Sequence, residues 1–95
     1  VYKRQILISA QNSEDAFEIG YKLSKKATIL SSAGITLYGP APAPITRVRG
    51  RYRVRMLLKA SKAVSMQSVI KLWLSGLNLR KDIRLVVDVD PQSFL

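Results

Sequence analysis

The chain has 95 residues, enough for one domain with a modest core, and its 47% hydrophobic content sets it apart from a disordered tail. Sixteen Lys and Arg against six Asp and Glu give a formal charge of +10, which attracts polyanions at long range and weakens with salt. The absence of cysteine and histidine excludes cysteine zinc sites, disulfides, thiol nucleophiles and a histidine general base.

No apolar run approaches the roughly 20 residues that span a bilayer. The start, Val1-Tyr2-Lys3-Arg4, lacks both a methionine and a signal-peptide layout, and reads as a cut inside a longer chain. Residues 2–10 are expected to form a strand, with Ile6, Leu7 and Ile8 suited to burial on both faces. A helix should follow: Asn12 or Ser13 can cap it, and Glu14, Asp15 and Glu18 favour its positive end. Ala16, Ile19, Leu23, Ala27 and Leu30 form its apolar stripe. Glu18 and Lys22 are spaced as an exposed ion pair. Residues 31–34 end the helix.

Residues 35–38 predict a short strand, which runs into Gly39-Pro40-Ala41-Pro42-Ala43-Pro44. Three alternate prolines remove three backbone donors, so this segment belongs on the surface or at a sheet edge. Between 47 and 59, arginine falls at every second position: Arg47, Arg49, Arg51, Arg53 and Arg55. A continuous strand would place all five on one face, about 6.6–7 Å apart. Gly50 interrupts the alternation and makes a hairpin the other reading. Residues 63–77 predict a second helix with Met66, Val69, Ile70, Trp73, Leu74 and Leu77 as its stripe. Residues 83–90 predict a closing strand.

The order β-α-β-β-α-β makes the expected fold class α+β. The natural architecture is a two-layer split βαβ sandwich, with an antiparallel or mixed sheet and two helices on one face.

No GxxxxGK[ST] phosphate loop is present, and no Ser-His-Asp set can exist without histidine. Asp88 and Asp90 share one strand face, as a carboxylate pair for a metal or as partners for arginines. The arginine row suits phosphate, because each guanidinium offers a planar fork of donors. Such a row follows a backbone and reads no sequence. The DNA-contacting candidates are Arg47, Arg49, Arg51, Arg53, Arg55 and Lys59. Tyr52 and Trp73 fall on core stripes, which leaves Tyr38 as the best candidate for an exposed ring. Few stacking aromatics favour duplex or fork-arm binding over a dedicated single-strand groove. A charged edge strand guarded against aggregation is the structural alternative.

Several segments together resemble the C-terminal domain of the primosomal protein N′ (PriA) family. They are Tyr38-Gly-Pro-Ala-Pro-Ala-Pro-Ile45, Arg47-Val-Arg-Gly-Arg-Tyr-Arg-Val-Arg55, Leu57-Leu-Lys-Ala60 and the ending Val87-Asp-Val-Asp-Pro-Gln-Ser-Phe-Leu95. The match is close over roughly the last 60 residues and is one of pattern before that. The resemblance implies that residues 1–95 are a single C-terminal domain, a non-catalytic fragment of an ATP-dependent 3′ to 5′ DNA helicase of replication restart. Its fold would be similar to that of a small ribosomal-subunit protein. ATP, magnesium and zinc would belong to upstream parts of the parent, with no cofactor in this fragment. The implied partners are forked or branched DNA, the acidic tail of single-stranded DNA-binding protein, and other primosome proteins. A cytoplasmic monomer without membrane contact is expected. The tail pocket in such proteins draws on the start of the second helix, here Gln67. The basic residue expected one turn earlier is replaced by Ala63, with Lys62 adjacent. An RNA-binding or ribosome-associated basic domain is the alternative function, and a bracing role for the helicase core is a third.

Overall fold

The computed structural model describes residues 2–61 and 66–89. Its elements are β1 (Tyr2–Ala10), α1 (Ser13–Ser24), α2 (Ala27–Ser31), β2 (Ile35–Val48), β3 (Arg51–Ala60), α3 (Met66–Leu74) and β4 (Arg84–Val89). The class is α+β. Among the described residues the strands form one open sheet in the order β2-β3-β1-β4, and each neighbouring pair is antiparallel.

Strand alternation divides the sheet into two faces. Ile6, Ile8 and Ala10 of β1 and Val54, Met56 and Leu58 of β3 are buried on the inner face. The helices complete that core with Ala16, Ile19 and Leu23 from α1, Leu30 from α2, and Met66, Ile70 and Trp73 from α3.

The start of α1 follows the sequence. Asn12 Oδ1 accepts from the Asp15 backbone N–H at 2.9 Å, and Asn12 Nδ2 donates back to Asp15 Oδ2 at 3.2 Å. Asp15 also pairs with Arg80, whose pKa is raised, first by that hydrogen bond and then by the carboxylate's charge. The expected Glu18–Lys22 pair is present at 3.3 Å.

The single helix expected up to residue 30 is broken at Lys25 and Lys26. The cause lies in tertiary packing. The Leu23 carbonyl accepts from Trp73 Nε1 at 3.0 Å and from the Lys26 N–H at 3.1 Å. Lys26 Nζ then donates to the Ser75 carbonyl at 2.9 Å, so the end of α3 is tied to the break.

The proline segment is part of one long edge strand. β2 runs along β3 with register shifts between Tyr38 and Ala41 and between Pro42 and Arg47. Gly39 takes φ 99°, where a Cβ would lie 2.8 Å from the Arg55 carbonyl oxygen. Helix α1 crosses this segment so closely that a Cβ on Gly20 would sit 2.7 Å from the Pro40 Cβ. Gly20→Ala should therefore destabilise the domain by about 1–2 kcal/mol: overpacking against the ring outweighs the roughly 1 kcal/mol gained in helix propensity. A thermal melt checks this, with a fall of several degrees expected.

Candidate nucleic-acid interface

The arginine stretch is a hairpin. Arg49 (φ 51°) and Gly50 (φ 76°) form its two-residue turn, and both positive angles fit the turn type that matches strand twist. Arg47 pairs with Tyr52, and Val48 pairs with Arg51. The turn therefore exchanges parity: odd positions before it share a face with even positions after it.

The expectation of five arginines on one face is corrected accordingly. Arg51, Arg53 and Arg55 share the outer face, which carries no helix among the described residues. Arg47 lies on the opposite face, its guanidinium 5.2 Å from the centroid of the Tyr52 ring. Arg49 is exposed at the turn.

Arg51 is committed to the fold. Its Nη2 donates to the Ser9 carbonyl at 2.9 Å and also to the Asp82 carbonyl. This guanidinium ties the end of β1 to the approach to β4. Arg51→Ala should cost about 2 kcal/mol of stability, the scale of charge-assisted hydrogen bonds, here to part-buried acceptors. It should leave the salt dependence of nucleic-acid binding unchanged. Denaturant unfolding paired with a salt titration separates the two effects.

Strand order brings further cations to the outer face that the arginine alternation does not reveal. Ser9 lies between Arg53 and Arg84, and Lys3 lies beside Lys59. Among the described residues this face carries Lys3, Arg51, Arg53, Arg55, Lys59 and Arg84, against the single carboxylate Asp88. Between the cationic ends lie two rows, Tyr38, Leu57, Gln5 and Asp88 in one and Ala41, Arg55, Leu7 and Val86 in the next, so that Tyr38, Leu57 and Leu7 make an apolar patch. Tyr38 is 50% exposed, and Lys59 Nζ lies 5.2 Å from its ring centroid. Trp73 is fully buried, in line with its reading as core. Tyr21 is exposed too, but it stacks on Phe17 at 5.9 Å on α1, where Glu14 and Glu18 are neighbours.

A second concave feature lies on the helix side. Gln67 lines a cavity of about 560 Å³ with Arg4, Ile70, Lys71, Leu74 and Val87. Gln67 and Lys71 are one helical turn apart, as are Ile70 and Leu74, so polar and apolar linings alternate along α3. Lys62 and Ala63 lie outside the described residues, as does Asp90. Arg4 and Lys71 are cations at this cavity that the sequence did not single out. The i, i+4 spacing of Lys71 from Gln67 was the available signal. No group of three or more potential metal ligands occurs among the described residues, and no helix among them is long and apolar enough to cross a membrane.

Relatives carry the same domain within much longer chains. The replication restart protein PriA of Rickettsia felis is 30% identical over 89 residues, covering 94% of this chain and 13% of that protein. The PriA of Rickettsia typhi is 33% identical over 66 residues, 70% of this chain and 10% of that protein. The PriA of Haemophilus influenzae is 33% identical over 61 residues, 63% of this chain and 8% of that protein. The chain thus spans about an eighth or less of these relatives. The family model for the primosomal protein N C-terminal domain matches residues 2–92, and this chain belongs to that family.

Proposed function

We propose that this domain is the DNA-binding and partner-docking C-terminal module of a replication-restart helicase of the PriA type. The observation that carries the reading is the outer face of the sheet, where among the described residues cations outnumber carboxylates and no helix covers the strands. Such a face attracts a sugar-phosphate backbone and reads no base sequence, which suits a protein that recognises fork shape. The domain performs no chemistry itself. ATP hydrolysis with magnesium, and a structural zinc, belong to other parts of the parent chain. The architecture fits a split βαβ sandwich in which the helices build the core and free the opposite face for binding.

The Gln67 cavity is the docking site for the acidic tail of single-stranded DNA-binding protein. Arg4 and Lys71 at its rim suit the tail's carboxylates. Lys62 lies four positions before Met66 in sequence. The module works in the cytoplasm as a monomer, beside other primosome proteins.

The test is a titration with forked DNA, plain duplex and structured RNA over a range of salt. Tight, salt-sensitive binding to the DNA forms is expected, with a slope that falls when Arg53 and Arg55 are replaced. Preference for structured RNA would favour a ribosome-associated role instead. No binding to any of the three at low salt would remove the DNA-binding role and favour a bracing role most.

A further inference from the structure

We propose that the outer face seats one unpaired nucleotide, with its base stacked on Tyr38 and its phosphate held by Lys59. This rests on the reading of that face as the nucleic-acid surface and adds what the surface selects.

The apolar patch is the starting point. A face built only to follow phosphates would carry cations throughout. Here Tyr38 is followed across the sheet by Leu57, Gln5 and Asp88, while Leu7 and Val86 lie in the next row beside Arg55. Lys3 and Lys59 lie toward one end of the strands, Arg53 and Arg84 toward the other. From Lys59 to Arg55 along β3 is about 13 Å, given the rise per residue. The apolar patch of Tyr38, Leu57 and Leu7, with Lys59 and Arg55 flanking Leu57 along β3, suits a base with phosphates on both sides of it.

Tyr38 is placed to act as the platform. It sits in a paired strand rather than a loop, opposite Leu57, and the next residue, Gly39, lies close against the β3 backbone. Tyr38 is half exposed and shares the outer face with the cations. Lys59 Nζ rests over the tyrosine ring at 5.2 Å. A cation over a solvated ring is a weaker contact than a stacked base, so an incoming base displaces the ammonium. The released ammonium remains on the same face, within reach of the phosphate that accompanies the base. A closed duplex cannot supply this base, because its bases are stacked inside the helix. The occupant is therefore a single strand, a gap or the junction of a fork.

The experiment uses the 95-residue chain and short oligonucleotides, DNA and RNA, carrying one 2-aminopurine. Wild type should quench the probe in both, since stacking does not depend on the sugar. Tyr38→Leu should abolish the quench and weaken single-strand affinity about tenfold, while duplex affinity and the salt slope stay as in wild type. Tyr38→Phe should retain both, which separates stacking from a folding defect. A Tyr38→Leu variant that still quenches, or that loses duplex and single-strand affinity equally, would overturn the proposal. If wild type binds no nucleic acid, the underlying reading fails with it. If Arg53 and Arg55 control the salt slope but Tyr38 controls nothing, only the stacking inference fails.

Discussion

Arg53→Glu together with Arg55→Glu is expected to weaken binding to forked or duplex DNA about a thousandfold at moderate salt. Both side chains stand on the outer face, on a strand that is hydrogen-bonded on both sides. Each swap removes an attraction and adds a repulsion, and the pair lowers the formal charge of +10 by four. At about 1 kcal/mol for each lost contact and each new repulsion in water, the total is about 4 kcal/mol, roughly three decades of affinity. The neutral pair, Arg53→Ala with Arg55→Ala, should be milder. It should lower the slope of log affinity against log salt by nearly two units, about 0.9 for each phosphate contact on duplex. Fluorescence anisotropy at several salt concentrations measures both. Equal binding by the glutamate variant and wild type would rule out this face as the contact.

Trp73→Ala should leave the domain barely folded. The indole is fully buried, and its Nε1 supplies a hydrogen bond to the Leu23 carbonyl where α1 gives way to α2. Removing it opens a cavity worth about 3–5 kcal/mol and takes away one of the hydrogen bonds to that carbonyl, worth about 1 kcal/mol more. A domain of this size has a total stability of roughly 5–10 kcal/mol. Trp73→Phe keeps most of the volume and loses the donor, so it should cost about 1–3 kcal/mol. Urea unfolding followed by circular dichroism tests the order wild type, Trp73→Phe, Trp73→Ala.

Periodicity made much of the framework legible. The span of β1 and the order of strands and main helices follow from patterns with periods of two and 3.6. The Asn12 cap and the punctuation at Gly50 are local chemistry and could be read directly. What escaped was set by contacts distant in sequence. The break at Lys25 and Lys26 depends on Trp73, which lies fifty positions beyond Leu23. The placement of Lys3 and Arg84 beside the arginines depends on strand order, which alternation alone cannot supply. The separation of Arg47 from Arg51 has a simpler origin. A turn of two residues pairs 47 with 52, so the alternation remains unbroken in sequence while the side chains change face. The role of Arg51 as a tether to Ser9 and Asp82 could not be read from its membership of an arginine series.

The division of β3 into two faces constrains how its gene can drift. Val54, Met56 and Leu58 point into the core, while Arg53, Arg55 and Lys59 point away from it. Insertion or deletion of one codon within this strand would exchange the two sets beyond that point, exposing the greasy residues and entombing the charges. Point substitutions can tune either face separately, but the length of the strand is not free to vary.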